Sequence, residues 1–497
     1  MTTTAPRLIR PYIDGEVTGD GELIERRAPG TNAHVSNIVA TERHDVERAI
    51  RAARTSFDDG RWADTTGFHR AAVLNRLADL IDRDAELLAR LDAEEGGKPI
   101  RIARGDVGGA ASLCRYAAAL ALTQHGDSYT NNGPDFTGII MKQPIGVVSL
   151  VIPWNFPALI LCQKLPFALA AGCSAVIKPS EFTSASAMHI AHLCSEAGVP
   201  DGVVNVVTGA GDVGQLLNES PLIDMVSFTG STATGKKVMQ AAAGTMKKLS
   251  LELGGKAASV VFDDADLEDA IAGVTFGVTF NNGECCVSQA RLIVQDGIAD
   301  ELLAGVAERM RQVRVGQPLD EATDVGAMIH AQHREKVLDL VAGAGAAGAE
   351  ITLGGGALQG GELGDGQFVE ATIIDGVRPG LEVFSQEIFG PVLTVTRFGD
   401  DAEGISLANR VSYGLSNSVW SKNIDRVLTA AKEIRSGTVY ANTAIDGPPQ
   451  MPIGGFKASG IGREMGEAGF EEFLETKSVN IRTGRRAGSF MIPGTRA

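Results

Sequence analysis

Apolar residues recur at three- and four-residue steps over residues 45–57 and 66–95, where Val73, Leu77, Leu80, Ile81, Leu88 and Leu91 alternate with charged positions. That period predicts amphipathic helices. From about residue 147 the texture changes to short β-rich runs separated by helical patterns. Strands are predicted at 147–152, 174–178, 203–207, 225–229 and 249–251, each followed by Gly, Pro or a polar residue that opens a helix. Spacings of about 20 to 30 residues fit successive βαβ units, hence a parallel, doubly wound sheet that binds ligands at the carboxyl ends of its strands. A second series follows at 259–262, 292–294, 392–398, 418–420 and 438–441. Residues 341–366, rich in Gly and Ala, read as a helix end plus a surface loop. The strand-like run 135–143 and the tail 475–482 fit neither series and read as arms used in assembly.

Composition narrows the class. The 497 residues suggest about three domains or one large split one. With 45 Lys and Arg against 61 Asp and Glu, the net charge of −16 argues against nucleic acid and anionic membrane as main partners. Six cysteines, at 114, 162, 173, 194, 285 and 286, form neither a disulfide framework nor a zinc spacing, which predicts a reducing, cytoplasmic setting. The start of the chain lacks the apolar core of a signal peptide. Gln163, Lys164 and Pro166 interrupt the most apolar stretch, so no membrane span is expected. The eight histidines show no metal spacing and read as structural or solvent-exposed; no metal is expected.

Two glycine patterns suggest nucleotide binding. Gly209, Gly211 and Gly214 match G-x-G-x-x-G between a strand and a helix, but the acidic residue expected about 20 residues on is missing, and a plain turn fits as well. Gly230 to Lys236 resembles a P-loop, yet Lys237 stands where a magnesium-binding Ser or Thr is required, which disfavours a kinase or ATPase. What remains is a Gly-Ser turn at a helix N-terminus, able to hold a pyrophosphate.

Four other blocks carry sharper chemistry. Pro153 to Pro157 fixes a rigid loop around the Asn155 amide. Lys178 to Glu181 sets a cation and a carboxylate where ribose hydroxyls could be held. Glu252 ends a strand as a carboxylate in apolar surroundings, and Cys286 follows a glycine turn beside Cys285. In this order and spacing the blocks resemble the NAD(P)-dependent aldehyde dehydrogenase superfamily over about residues 10–482. Further agreement comes from Phe228 to Ser231, Glu387 to Pro391, Asn442, Pro452 to Lys457, Ser459, Gly460 and Gly462 to Glu464.

The resemblance implies an α/β fold of the aldehyde dehydrogenase type: a Rossmann-like NAD domain (1–121 and 145–254), a catalytic domain (255–458) and a small β oligomerisation element (122–144 and 474–497). It implies a homo-oligomer, a dimer or more readily a dimer of dimers. Counting back from Arg291 places the nucleophile at Cys286, with Cys285 a packed small hydrophobe. Attack by Cys286 on an aldehyde gives a thiohemiacetal, with the Asn155 amide and the Cys286 N–H as oxyanion donors. Glu252 then activates the water that hydrolyses the thioester. Lys164 and Glu464 match proton-relay positions, though a simple salt bridge fits equally.

Lys178 and Glu181 would hold the adenosine ribose, Ser231 the pyrophosphate, and Glu387 the nicotinamide ribose, with Phe389 against that half and Trp154 lining the cleft. Ser180, Gly211, Gly230 and Leu253 complete the cofactor set. Glu181 favours NAD over NADP by repelling a 2′-phosphate. A CoA-acylating relative would generally lack the glutamate base, and a silent member would lack the thiol or the amide. Glu284 for a commoner Gln, and 287–290 for smaller residues, bear on which aldehyde is used.

For the substrate, Phe156, Gln163, Ile453 and Asp446 mark the pocket. Gln163 and Ile453 stand where aromatics are common, and Asp446 sits near the mouth or caps a solvent-facing turn. Together they favour polar aldehydes, including amino- and trimethylammonio-aldehydes of the betaine-aldehyde type. The 5% aromatic content speaks against an aromatic cage for the latter.

Overall fold

The computed structural model describes residues 5–483; residues 1–4 and the part of the expected oligomerisation element beyond 483 lie outside the described residues. The predicted strands assemble into an eight-stranded sheet. Its order is Gly460–Ile461, Lys248–Glu252, Met225–Thr229, Val147–Val151, Ser174–Lys178, Val204–Val206, Tyr12–Ile13, Glu16–Val17. The five central strands are parallel, as their continuous apolar runs require when both faces are covered by helices. Val147–Val151 comes first in sequence and lies in the middle, so the strand order reverses beside it. That is where such sheets bind ligands.

A second, seven-stranded sheet runs Glu350–Leu353, Thr372–Asp375, Val392–Phe398, Arg291–Gln295, Ala258–Val261, Ser416–Trp420, Thr438–Ala441. It is parallel except for the antiparallel Glu350–Leu353 edge, which lies within residues read from sequence as loop. The two arms pair with each other: Leu474–Arg482 runs antiparallel to Phe136–Pro144 over its full length, and Asp127–Tyr129 adds a third strand.

The helix expected over 66–95 is two, Gly67–Arg83 and Ala85–Gly96, broken at Asp84, whose carboxylate accepts from His189. Helix Ile100–Thr123 had no sequence signal, because Gly105, Gly108 and Gly109 weigh against helix. Gly109 packs close to Leu159 of helix Pro157–Ala171. That helix is buried nearly all round, Lys164 included. Among the described residues no helix is long and apolar enough to cross a membrane.

Candidate active site

Four strand ends of the first sheet meet one turn that leads into the second sheet. Trp154 and Asn155 follow Val147–Val151, Lys178 ends the next strand, Gly230 follows Met225–Thr229, and Glu252 closes Lys248–Glu252. Opposite them stands the turn carrying Cys286. Its residues Asn281, Asn282 and Gly283 have φ of 51°, 63° and 70°. Asn adopts this left-handed region at low cost. Gly283 is required, since a β-carbon there would overlap the Gly390 carbonyl group. Asn282 locks the turn by donating to Gly97 O (3.2 Å) and Ala327 O (3.1 Å). Asn155 Nδ2 and Asn281 Nδ2 both donate to Glu284 O at 3.0 Å, and Asn281 also reaches Asn155 O. The amide loop and the thiol loop are therefore one hydrogen-bonded unit.

The two cysteines differ. Cys285 is buried in the core cluster that includes Val148 and Ile177 of the first sheet, whereas Cys286 is partly open. A hydrogen bond with the Cys285 thiol, then burial, push the Cys286 thiol well above its ordinary pKa, and the Glu387 charge adds to this. Glu252 is buried and its Oε1 has no hydrogen-bond partner. Burial, then the Glu464 charge, raise its pKa well above the ordinary carboxylate range, while Lys164 opposes the shift. Lys164 pairs with Glu464 and donates to Ser227 Oγ at 2.8 Å. Glu464 and Ile453 also exchange backbone hydrogen bonds at 2.8 Å, joining the ion pair to an expected pocket residue.

Around the carboxyl ends of these strands stand groups that could hold a dinucleotide. Helix Thr232–Ala242 points its N-terminus there, capped by Ser231 Oγ accepting from Thr234 N at 3.1 Å. Leu253 supports that helix against Gly235. Helix Gly211–Glu219 begins nearby, with Gly214 packed on the Lys178 stem and open space at Gly211. The Lys178 ammonium stands 4.0 Å from the Glu181 carboxylate, and Ser180 Oγ accepts from Phe182 N. At the other end, Glu387 accepts from Gly255 N at 2.8 Å, and burial moves its carboxyl up to about 7. Phe389, at φ 63°, meets the Trp154 ring edge-on at 5.5 Å.

The aldehyde dehydrogenase family profile matches residues 17–479. The chain belongs to the aldehyde dehydrogenase family. It is 39% identical to a betaine aldehyde dehydrogenase of Bacillus subtilis, over 95% of this chain and 97% of that one. The solved NAD-dependent aldehyde dehydrogenase from Sinorhizobium meliloti superposes with a TM-score of 0.95 at 42% identity, covering 98% of this chain and 97% of that one. The betaine aldehyde dehydrogenase of Staphylococcus aureus, solved in complex with NAD+, gives a TM-score of 0.94 at 36% identity, covering 97% and 96%.

Within this family fold several residues beyond the sequence motifs join the site. Phe280 stacks on Phe156 with centroids 5.9 Å apart, and Phe276 leans on Phe280. Burial, then the charges of Cys285, Cys286 and Asp446, push the Tyr440 phenol above its ordinary pKa. Asp446 itself is exposed, and Gln163 is half-buried one residue before Lys164. His333, read from sequence as structural or exposed, packs edge-on against Trp154 and Phe389 and hydrogen-bonds Phe389 O at 2.7 Å. Nothing in its sequence surroundings marks it, because its partners lie far away in the chain. Among the described residues no group of three or more His, Cys, Asp or Glu could hold a metal.

Proposed function

We propose that this NAD-dependent aldehyde dehydrogenase oxidises an aldehyde to the carboxylic acid by forming and hydrolysing a thioester on Cys286. The observation that supports this most is Glu252: a buried carboxyl, unpartnered at Oε1, raised by its surroundings and sensing the charge of Cys286. Such a group suits a general base working near neutral pH. The Cys286 thiol, its proton released to solvent, attacks the aldehyde carbon, which leaves Glu252 free to serve as base in the second half. The oxyanion is met by the second Asn155 Nδ2 hydrogen and the Cys286 N–H. Bound NAD+ supplies the hydride acceptor. Loss of hydride restores the carbonyl as a thioester, and Glu252 takes a proton from the water that attacks it. Lys164 and Glu464 relay that proton away.

Lys178, Ser180 and Glu181 hold the adenosine ribose; Gly211, Gly230, Ser231 and Leu253 build the pyrophosphate cradle; Glu387, Phe389 and Trp154 position the nicotinamide half. Residues 1–121 and 145–254 form the cofactor domain, 255–458 the catalytic domain, and 122–144 with 474–497 the assembly element of a cytoplasmic homodimer or dimer of dimers. Tyr129, Ile139, Met141 and Ile481 expose apolar area on that element, which supports this role.

For the substrate we favour polar aminoaldehydes, with Phe156, Gln163 and Ile453 along the pocket and the Asp446 carboxylate at its mouth. The test is NADH formation with paired cationic and neutral aldehydes, with and without CoA, in wild type and Asp446→Asn. Turnover without CoA and a selective loss of about three- to fivefold on the cationic substrate, shrinking with salt, fit a partly exposed charge pair. A CoA requirement, or equal losses on both substrates, contradicts it.

A further inference from the structure

Phe389 holds a backbone conformation that a bulky residue seldom adopts, with φ at 63°. Such a conformation persists only where its surroundings over-determine it. The chain on either side is well anchored. Two residues earlier, Glu387 accepts from Gly255 N at 2.8 Å, and Ile388 is buried in the core of the second sheet. Gly390 then passes between Val337 of helix Ala331–Ala346 and Gly283 of the thiol turn, close to both. At Phe389 itself the main-chain oxygen accepts from His333 Nε2 at 2.7 Å.

The imidazole is fixed for that bond. A carbonyl oxygen can only accept, so the ring proton sits on Nε2. Burial holds the His333 pKa down to about 4, so the ring is neutral. Glu284 Oε1 lies 3.7 Å from the same nitrogen, beyond hydrogen-bond reach, and does not compete. His333 N donates to His330 Nδ1 at 3.0 Å, the cap that starts helix Ala331–Ala346 and sets where the ring emerges. His333 meets the Trp154 ring edge-on at 5.9 Å and the Phe389 ring at 6.0 Å, while Trp154 and Phe389 meet at 5.5 Å. Each ring of this set touches the other two, and the hydrogen bond ties the set to the main chain.

We propose that His333 is a positioning residue for hydride transfer: its hydrogen bond to the Phe389 carbonyl holds that residue in the left-handed conformation and so fixes the ring that borders the nicotinamide. This rests on reading Phe389 and Trp154 as the nicotinamide wall. His333 gives no atom to the reaction. Without its N–H, the main chain at Phe389 is released toward negative φ and the ring leaves its place against Trp154. Transfer between two carbons is steep in their placement, so the loss falls on rate.

The experiment compares wild type, His333→Phe, His333→Gln and Phe389→Ala. Phe keeps a ring against Trp154 and loses the donor; Gln loses the ring and carries an N–H about where Nε2 stood. The readouts are single-turnover NADH formation with ordinary and C1-deuterated aldehyde, NAD affinity and thermal unfolding. His333→Phe should be slower by about tenfold or more, with an isotope effect at least as large as that of wild type. Its NAD affinity should stay within about threefold, and His333→Gln should recover the rate to within about threefold of wild type. Phe389→Ala should also be slow, and adding His333→Phe to it should cost less than about twofold more, because the histidine acts through that ring. A wild-type rate in His333→Phe overturns the proposal. So does a rate in His333→Gln as low as in His333→Phe, or a smaller isotope effect in the slowed variant, which would put the loss in another step. If His333→Phe does not fold, His333→Leu takes its place under the same criteria. A wild-type rate in Phe389→Ala refutes the wall itself and the proposal with it, whereas a slow Phe389→Ala beside a normal His333→Phe refutes the positioning role alone.

Discussion

Gly255 lies against the main chain of Cys286: a β-carbon added to the glycine would overlap the Cys286 carbonyl oxygen. Its neighbour Gly254 lies equally close to the Glu387 carboxylate, and Gly255 N donates to that carboxylate. The segment leaving the Glu252 strand is thus the spacer that sets Glu252, Cys286 and Glu387 relative to one another.

Gly255→Ala should leave a folded protein that has lost its chemistry. Overpacking of this kind costs about 1–3 kcal/mol of stability. A thiol displaced by about 1 Å costs about a hundredfold in rate. Thermal unfolding and the single-turnover NADH rate together check this; a variant with near-normal rate would show that the loop tolerates the shift.

Glu252→Gln should separate the two halves of the reaction. Steady-state turnover should fall by about 10²-fold or more, while a stoichiometric burst of NADH persists. Wild-type kcat should rise with pH through a value above the ordinary carboxylate range. The base works only when ionised, and burial with Glu464 favours its protonated form. The variant should lose that rise. A kcat–pH profile of both proteins checks the sign.

Glu181 should set the cofactor preference. Its carboxylate is partly exposed beside Lys178, whose charge is available to a phosphate once the acid is gone. Wild type should show higher kcat/KM with NAD than with NADP. Glu181→Ser should raise the NADP-to-NAD ratio of kcat/KM by about tenfold, a differential effect of about 1.4 kcal/mol. An unchanged ratio would place the discrimination elsewhere.

Much of this architecture was legible because its signals are local. The short apolar runs that lead to Asn155, Lys178 and Glu252 mark strands, and strand ends of a doubly wound sheet are where ligands meet the protein. What stayed hidden depends on contacts distant in sequence. The partners Lys164 and Glu464 are 300 residues apart, and Glu284 finds Ile329 across 45 residues. His333 and Tyr440 carry no local motif and matter only through the aromatic and charged groups the fold brings to them. Helix Ile100–Thr123 was masked by three glycines, whose poor intrinsic propensity is outweighed by close packing against its neighbours.

The central claim is that chemistry runs through Cys286 and not through the buried thiol beside it. The most direct measurement is the pre-steady-state burst of NADH per active site in Cys286→Ala and Cys285→Ala, with NAD binding measured on both. Cys286→Ala should show no burst and intact NAD affinity, and Cys285→Ala should keep most of the wild-type burst. A burst in Cys286→Ala, or its loss only in Cys285→Ala, would contradict the account.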